Sequence, residues 1–477
     1  MDDTQIIQMD ATQLSKAILS SEITSLEAVA VFIKHIHEVN PIINAVVEER
    51  FIEAIEEAKE YDNLLKNGQK LGPLHGVPIS IKESLHVMGL KTTGGLEHRQ
   101  DLIAIEDAAV VKKLKAAGAI ILGKTNTPAL CFCQETDNKL YGRTNNPWDI
   151  SMSAGGSSGG EGALLAVGGA AVGIGSDVGG SIRFPAHFNG VIGFKPGKDQ
   201  ISTDGHFPSI QHELQARMLT IGPMGKSVQD MRLLYEILSN SNVHTQKLKD
   251  FKLEILPGNS GYPLSNETVD LLNQLEYFLE KSFPTKRVVP PYFKGSALIW
   301  QEIMSINGSK LVEDEAFNND RSGVYISFFK EKLTQRTSVH PYLSRAIIGA
   351  KMFKPSRKRV QEIITIIEQG DEMLETYLDN RLLIFPVYHE TALPHGKVFK
   401  EIFSMRKTYL QFMPYVAYAN VWGLPSLTIP IGESNNGLPI SIQIMSKSGN
   451  EDAIFRLAKL IEKKYRGFKI APMPNIK

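Results

Sequence analysis

Cysteine is nearly absent from this chain, which has two in 477 residues, Cys131 and Cys133, in the tripeptide CFC. Their spacing is tighter than that of a zinc knuckle, and no second pair exists to complete a zinc site. The sequence therefore predicts no metal centre. We expect both side chains to behave as buried apolar residues of a protein in a reducing cytoplasm.

Net charge is absent as well, because 52 lysines and arginines balance 52 aspartates and glutamates. That balance argues against a dominant nucleic-acid or anionic-membrane surface. No run of eighteen apolar residues occurs, and the N-terminal MDDTQIIQMD lacks a basic segment before an apolar core. We expect a cytoplasmic protein without a transmembrane segment, whose partner is a small molecule. A homodimer and a monomer both stay open.

The overall composition is that of a globular protein, 42% hydrophobic and 22% charged. Glycine becomes rare between residues 240 and 370, with seven in 131 positions, and helical patterns with aromatic residues dominate there. No glycine-serine linker bounds this stretch. We therefore predict a helical lobe within one large domain, 1–477, and not an independent domain.

Several patterns predict helices and strands along the rest of the chain. SLEAVAVFIKHIHEV predicts a helix that begins near Ser25, and GVPISIK predicts a strand that ends at Lys82. Helix and strand then follow one another through DAAVVKKLKAAGAIILGKT, with a βαβ-like rhythm. Asn436-Gly437, between two alternating apolar runs, predicts a hairpin.

One motif in this region is misleading. GAIILGKT, residues 118–125, satisfies the pattern of a phosphate-binding P-loop. A P-loop needs a loop between its glycines and a helix after the threonine, whereas AIIL is itself a strand and Pro128 follows closely. We therefore reject phosphate binding at this segment.

The most unusual segment is 155–185, GGSSGGEGALLAVGGAAVGIGSDVGGSIRFP, with eleven glycines in 31 positions. A flexible linker would be poor in apolar residues, whereas this segment contains ALLAV, AAVGI and IRF. A dinucleotide cradle needs a third glycine at a different spacing from that in GIGSDVGG. A hydrolase site that uses the serines is the interpretation that accounts for most of the segment.

Ser158 and Glu161 have the spacing of a capping box and predict a helix, followed by a short buried strand. Ser181 is then expected at a tight turn that leads into a helix ending at Asn189-Gly190. The Gly179-Gly180 pair would let backbone N–H groups converge beside Ser181 as an oxyanion hole. The competing interpretation, that these serines only cap helices, explains Ser158 but not the GGS triplet.

A serine nucleophile needs a base, because a free hydroxyl is a weak nucleophile. No G-x-S-x-G elbow is present, and His187, the histidine nearest to Ser181 in sequence, is interpreted as structural. A lysine can act as the base when burial keeps it neutral. Lys82 ends a strongly apolar strand and is the candidate, with a solvated edge lysine as the alternative interpretation.

These segments together resemble the amidase signature family. GGSSGG followed by GSDVGGSIRFPAHFNGVIGFKP is a long match, GVPISIKE is similar to the family's lysine strand, and GKTNTPAL and GLPSLTIPIG also fit. The likeness covers most of the chain and is least clear at 240–370. YGRTNNPWD, FPAHFNG, GHFP and EKKYRGFKIAP are most similar to the fatty-acid amide hydrolase-like branch.

The resemblance implies an α/β fold with a mixed, twisted central β-sheet covered by α-helices on both faces. It also implies a Ser–cis-Ser–Lys triad with Ser181 as nucleophile, Ser157 as bridging serine after a cis peptide bond, and Lys82 as base. The other implied site residues are the oxyanion N–H groups of Val178, Gly179, Gly180 and Ser181 and the supporting residues Ser158, Asp177 and Arg183.

The implied activity is hydrolysis of carboxylic or fatty-acid amides to acid and amine through an acyl-enzyme, without metal or cofactor. The 240–370 lobe would line a pocket for an apolar acyl group. Two alternatives stay open: a glutamine-hydrolysing component of a tRNA amidotransferase complex, and a non-catalytic binding protein on the same fold. The sequence does not fix the acyl chain length.

Overall fold

The computed structural model of the protein describes residues 1–239, 243–318, 323–334, 337–403 and 406–472. Short apolar runs form the strands of its central sheet, and every residue of PISIK (78–82) and PISIQIM (439–445) is buried. Burial of whole runs indicates a sheet that is covered on both faces. Thirteen strands lie in the described residues: β1 (Val46–Glu49), β2 (Pro78–Lys82), β3 (Ile120–Thr125), β4 (Asn145–Asn146), β5 (Asp149–Ser153), β6 (Val172–Asp177), β7 (Ile192–Lys195), β8 (Thr220–Gly225), β9 (Lys252–Ile255), β10 (Thr285–Arg287), β11 (Arg381–Pro386), β12 (Ser426–Glu433) and β13 (Pro439–Met445).

Eleven of these strands form one sheet in the order β1-β3-β2-β6-β8-β7-β12-β13-β11-β9-β10. Its centre, from β6 to β11, is antiparallel, and parallel pairs lie on each side, β3-β2-β6 on one and β11-β9-β10 on the other. β4 and β5 pair separately. The predicted mixed central sheet is confirmed.

Several of the helices begin where a capping residue precedes apolar periodicity. Thr24 caps the helix predicted near Ser25: its side chain accepts from the Glu27 N–H, and the Glu27 carboxylate accepts from the Thr24 N–H. The described residues contain nineteen α-helices: α1 (Asp3–Gln8), α2 (Ala11–Leu19), α3 (Ser25–Ile43), α4 (Phe51–Lys66), α5 (Ala109–Ala116), α6 (Gly159–Ala166), α7 (Arg183–Asn189), α8 (Glu213–Ala216), α9 (Val228–Leu238), α10 (Asn266–Leu279), α11 (Ser296–Met304), α12 (Lys310–Phe317), α13 (Gly323–Thr334), α14 (Pro341–Met352), α15 (Arg357–Tyr377), α16 (Lys397–Phe403), α17 (Arg406–Phe412), α18 (Pro414–Val421) and α19 (Glu451–Lys464).

Alternate residues of β11 show that helices cover both faces of the sheet. Leu382 and Ile384 belong to one apolar core, to which α9 and α19 contribute. Leu383 and Phe385 belong to a second core, to which α7, α11 and α18 contribute. Because successive side chains of a strand point to opposite faces, the two cores lie on opposite sides of the sheet.

Most of the predicted elements are confirmed. The strand that ends at Lys82 is β2, the helix and strand after it are α5 and β3, and the hairpin at Asn436-Gly437 joins β12 to β13. β3 runs through the second glycine of GAIILGKT, and the chain after Thr125 forms a loop and a single 3₁₀ turn, Ala129–Cys131. This geometry excludes a P-loop.

The stretch 240–370 is not purely helical. It supplies β9 and β10, which extend the central sheet beyond β11, in addition to helices between α10 and α15. Residues 240–242, 319–322 and 335–336 of this stretch lie outside the described residues. Because one sheet joins the stretch to the rest of the chain, a single domain stays our proposal.

Candidate active site

Lys82 ends β2, which lies between β3 and β6 in the interior of the sheet. The side chain is fully buried, and Nζ lies 2.6 Å from Ser157 Oγ and 2.9 Å from Ser176 Oγ. Burial lowers the pKa of the ammonium below its ordinary value, and it outweighs the opposing influence of Cys131 and Asp177. Lys82 is therefore not the solvated edge lysine of the alternative interpretation.

Ser157 lies in the loop between β5 and α6, and the Gly156-Ser157 peptide bond is cis. The residue before it must be glycine, because a Cβ at 156 would lie 2.7 Å from the Cys133 carbonyl oxygen and the Glu135 backbone nitrogen. Backbone atoms cannot move aside as a flexible side chain does. The glycine thus lets the loop pass close to residues 133–135 while Ser157 contacts Lys82.

The capping-box prediction for Ser158 is wrong. α6 begins directly after Ser158, but the Ser158 hydroxyl donates to the Ser176 carbonyl oxygen and accepts from the Ser176 N–H, at 3.3 Å each. Glu161 is fully buried and accepts from Ser80 Oγ at 2.6 Å and Thr125 Oγ1 at 2.8 Å. Burial raises the pKa of Glu161 to about 7. Partners from β2 and β3 therefore replace the local cap.

Ser181 lies in the turn between β6 and α7, where the sequence predicts it. The Ser158 N–H donates to its carbonyl oxygen at 3.2 Å, which ties this turn to the loop that contains Ser157. Ser181 and Ser157 border the same cavity. Among the described residues no hydrogen bond joins their two hydroxyls, so the structure brings Lys82 and Ser157 into contact and leaves Ser181 nearby with an unbonded Oγ.

A buried ion pair holds the turn at Ser181. Asp177 accepts the N–H groups of Gly180 at 2.8 Å and Ile182 at 3.1 Å, and Arg183 donates to each carboxylate oxygen at 3.0 Å. Asp177 and Arg183 are both fully buried. Burial alone raises the pKa of Asp177, but the charge and hydrogen bonds of Arg183 outweigh it and hold that pKa well below its usual range.

Arg183 also connects the turn to distant parts of the chain. Nη1 donates to the Val416 carbonyl oxygen at 3.0 Å and to Gln443 Oε1 at 2.9 Å, and Nη2 donates to Asn420 Oδ1 at 2.5 Å. These acceptors belong to α18 and β13. The two predicted supporting residues, Asp177 and Arg183, therefore anchor the Ser181 turn to the C-terminal part of the sheet.

The predicted oxyanion donors differ in availability. The N–H groups of Val178, Gly179 and Ser181 have no acceptor among the described residues. The Gly180 N–H is already bonded to Asp177 Oδ1, so the structure leaves three free donors where the sequence predicts four. Gly180 has a φ of +91°, and a Cβ there would lie 2.6 Å from the Phe184 ring. Only glycine fits this position without strain.

Two cavities meet at Ser181. The wide cavity has a volume of about 440 Å³ and the narrow cavity about 250 Å³. Five residues border both: Cys131, Phe132, Val178, Ser181 and Met304. The other residues of the wide cavity are mainly apolar and include Trp300, Phe328, Phe353, Phe403 and Tyr409. The narrow cavity is bordered by Ser157, Ser176 and His206, and by residues 306, 307 and 309–312.

Two side chains close to Lys82 were not predicted from the sequence. Ser176 Oγ, besides its contact with Lys82 Nζ, lies 3.0 Å from His206 Nε2. His206 occurs in GHFP, a segment that the sequence singles out only as a family likeness. Thirty residues separate it from Ser176, and no local spacing relates the two. Only the tertiary fold brings them together.

Both cysteines were expected to be buried, and the structure agrees for one of them. Cys133 is buried, whereas Cys131 is half-buried and its Sγ lies 3.2 Å from Thr127 Oγ1. The Cys131 thiol also lies against Lys82 and His206. Cys131 is therefore part of the polar surroundings of the lysine and not only a packing residue.

Three further expectations concern His187, metal binding and a transmembrane helix. His187 is buried, with Nε2 against the Glu390 carbonyl oxygen and Nδ1 accepting from the Ser441 N–H, and burial lowers its pKa to about 4. These contacts agree with a structural histidine. The described residues contain no cluster of three or more His, Cys, Asp or Glu side chains suited to a metal ion. Over the same part of the chain, no helix is both long and apolar enough to cross a bilayer.

Comparison with known proteins assigns the chain to a class of amide-cleaving hydrolases. The sequence profile of the family described as Amidase matches residues 27–455. Because this match covers most of the chain, the protein belongs to the amidase signature family and is a hydrolase of amide carbon–nitrogen bonds.

Individual relatives agree with this family. The chain is similar to fatty-acid amide hydrolase 2-A of Danio rerio, with 31% identity covering 99% of this chain and 91% of that protein. It is 28% identical to a glutamyl-tRNA(Gln) amidotransferase subunit of Fusobacterium nucleatum, over 96% of this chain and 97% of that protein. A solved fatty acid amide hydrolase matches the fold with a TM-score of 0.80 at 22% identity, covering 97% of this chain and 86% of that chain.

Proposed function

We propose that the protein is a serine amidase that hydrolyses amides of apolar carboxylic acids through an acyl-enzyme on Ser181. The observation that carries the proposal is the fully buried Lys82, whose Nζ lies 2.6 Å from Ser157 Oγ, beside the unbonded Ser181 hydroxyl. A buried lysine with a lowered pKa serves as a base, because its neutral form has a free lone pair.

In the proposed reaction, neutral Lys82 takes the hydroxyl proton of Ser157 while Ser157 takes that of Ser181. Ser181 Oγ forms a bond to the amide carbon, and the π electron pair moves onto the carbonyl oxygen. The proton returns through Ser157 to the amide nitrogen, the carbon–nitrogen bond breaks, and the amine leaves. Water, deprotonated through the same relay, then attacks the ester carbon. The bond from that carbon to Ser181 Oγ breaks, the acid leaves, and the proton held by the relay returns to Ser181 Oγ.

The oxyanion formed in both steps needs hydrogen-bond donors that are already in place. The free N–H groups of Val178, Gly179 and Ser181 are suited to this role, since no described acceptor competes for them. The Asp177–Arg183 ion pair supports the arrangement by fixing Gly180 and Ile182 on either side of Ser181. We assign the Gly180 N–H to shaping the turn and not to binding the oxyanion.

The wide cavity is proposed as the acyl pocket, supplied largely by the 240–370 lobe. Its lining is mainly aromatic and aliphatic, with Lys332 and Arg345 as its charged residues, and suits an apolar group. Neither cavity has an aspartate or glutamate among its described lining residues. Glutamine hydrolysis, the second candidate, is favoured by the similarity to the Fusobacterium nucleatum amidotransferase component. The ammonium group of glutamine would find no carboxylate in either cavity, so we favour apolar acyl amides.

Reaction with a serine-directed fluorophosphonate tests the nucleophile. Ser181 Oγ attacks phosphorus and fluoride leaves, so the wild type should be labelled and Ser181→Ala should not. Hydrolysis of decanoyl-p-nitroanilide should fall about 10³-fold or more in the same variant. Ser15→Ala is the matched control, because Ser15 is a buried serine of α2 that lies outside both cavities and donates to the Pro73 carbonyl oxygen. Wild-type rates in Ser181→Ala would exclude the proposal, and so would glutamine as the only good substrate.

Gly349 allows a test of the acyl pocket. It lies within α14 on the wall of the wide cavity, and a Cβ there would meet no atom within 4 Å. Gly349→Leu should therefore fill the cavity without disturbing the core and lower kcat/KM for the decanoyl substrate about tenfold or more, while acetyl-p-nitroanilide changes little. Gly349→Ala is the control. Equal losses for both substrates would contradict the assignment of this cavity.

A further inference from the structure

Lys82 has a second hydroxyl partner that the proposed relay does not use. Ser176 Oγ lies 2.9 Å from Lys82 Nζ, and His206 Nε2 lies 3.0 Å from the same oxygen. The other ring nitrogen of the histidine, Nδ1, lies 3.1 Å from the Pro208 carbonyl oxygen. His206, Ser176 and Lys82 are all buried, so water does not compete strongly for these contacts.

The positions of the protons in this chain of contacts follow from donor and acceptor chemistry. A carbonyl oxygen only accepts, so His206 Nδ1 must carry a hydrogen toward Pro208. In a neutral imidazole Nε2 is then bare and accepts the hydroxyl proton of Ser176, because the S–H group of Cys131, which also lies against the ring, is a weaker donor. With its proton committed to His206, Ser176 Oγ can only accept from Lys82. One N–H of the amine is thereby directed at Ser176.

The direction of the amine lone pair decides whether Lys82 can act as a base. A neutral amine has two N–H groups and one lone pair, and a base is effective only when that lone pair faces the proton it removes. Anchoring one N–H on Ser176 restricts rotation about the last bond of Lys82. The lone pair can then face Ser157 Oγ, 2.6 Å away.

We infer that His206 is a positioning residue: acting through Ser176, it orients the Lys82 amine so that its lone pair faces Ser157. This inference rests on the proposed function. Without an acceptor at position 206, the Ser176 hydroxyl is free to turn and donate to the Lys82 lone pair. That hydrogen bond would compete with Ser157 for the same electron pair and slow formation of the acyl-enzyme.

The substitutions that test this role differ in whether they keep an acceptor. His206→Leu removes it and should lower kcat for decanoyl-p-nitroanilide about tenfold, the worth of one competing hydrogen bond, with KM little changed. His206→Gln keeps a carbonyl oxygen near the place of Nε2 and should stay within about threefold of the wild type. Ser176→Ala removes the anchor for the amine but also the competing hydroxyl, so its loss should be no larger than that of His206→Leu.

The double variant decides whether His206 acts through Ser176. Adding His206→Leu to Ser176→Ala should cause no further loss, since the hydroxyl that His206 orients is already gone. Thermal unfolding of each variant checks that it is folded. If His206→Leu does not fold, the comparison of His206→Gln with the wild type and with Ser176→Ala still tests the idea.

The rate of fluorophosphonate labelling separates this inference from the proposed function. We expect every variant to label at Ser181, with His206→Leu about tenfold slower than wild type. A wild type that does not label at Ser181 would overturn the proposed function. Labelling of His206→Leu at the wild-type rate, damage in His206→Gln equal to that in His206→Leu, or additive losses in the double variant would each overturn the role of His206.

Discussion

Removing Arg183 should damage the protein far more than removing an arginine from its surface. In the variant Arg183→Met, Asp177 keeps its negative charge in a fully buried place and loses two hydrogen bonds of 3.0 Å. Three further acceptors lose a donor: Val416, Asn420 and Gln443. These three residues are fully buried, so solvent has no direct access with which to replace the lost donor.

The expected loss in the free energy of unfolding follows from the cost of leaving one charge of a buried ion pair without its partner. Such truncations lower the free energy of unfolding by about 3–5 kcal/mol. The N–H groups of Gly180 and Ile182 and the Asn420 side-chain amide still stabilise Asp177, which argues for the lower part of that range. Arg183→Lys keeps the charge but cannot reach all acceptors, so a loss of about 1–3 kcal/mol is expected.

Urea unfolding followed by tryptophan fluorescence measures this loss, with an unchanged m-value as the check that the same transition is compared. Arg287→Met is the matched control. Arg287 pairs with Glu276 at 2.7 Å, but both side chains remain partly in contact with solvent. Its removal should lower the free energy of unfolding by about 0–1 kcal/mol.

Two further measurements test whether the unpaired charge of Asp177 causes the loss of stability. Adding Asp177→Asn to Arg183→Met removes the unpaired charge and should restore at least about 1 kcal/mol. In Arg183→Met the pKa of Asp177 should rise, so that Asp177 binds a proton more readily in the folded state than in the unfolded state. The loss in the free energy of unfolding relative to the wild type should therefore become smaller from pH 7 to pH 5. An Arg183→Met variant as stable as Arg287→Met would refute the reasoning.

Three other outcomes are expected. kcat/KM should rise with pH around a midpoint below that of an ordinary lysine, because burial lowers the Lys82 pKa and only the neutral amine is a base; a midpoint at or above that of an ordinary lysine would contradict this. Gly180→Ala should lose most of the activity, and its free energy of unfolding in urea should fall by at least about 1 kcal/mol. The causes are backbone strain at a φ of +91° and the contact of the new Cβ with Phe184, and wild-type values would contradict this expectation. Burial lowers the pKa of Lys226 to about 7, so the unfolded state binds more protons above that pH. The wild type should therefore gain roughly 2–3 kcal/mol of stability relative to Lys226→Met between pH 7 and 9, and equal pH slopes in urea unfolding would refute this.

Local sequence patterns predicted most of the elements that carry the site. β2 is fixed by an apolar run that ends at Lys82, and α7 ends at Gly190, whose φ of +69° suits a helix end. These features depend on residues a few positions apart, which a pattern can reveal. The order of the eleven strands depends on pairing between distant segments, and no pattern in the sequence specified it.

The predictions that needed correction depended on tertiary contacts. Glu161 has the spacing of a capping partner for Ser158, but Ser80 and Thr125 bind it from neighbouring strands. Similarly, the Gly180 N–H is taken by Asp177, and His206 reaches Ser176 from thirty residues away. In each case a side chain or backbone group has a partner that local spacing does not identify.

The contact between Arg183 and Gln443 spans 260 positions of the chain. At synthesis rates of roughly 5–20 residues per second, a ribosome needs roughly 13–52 s to travel from one to the other. Throughout that interval the growing polypeptide already contains Lys82, Ser157 and Ser181 but lacks the segment that secures the turn around Ser181. Competence to cleave amides is thus reached only near the end of translation, and fragments that stop before α18 should be inert.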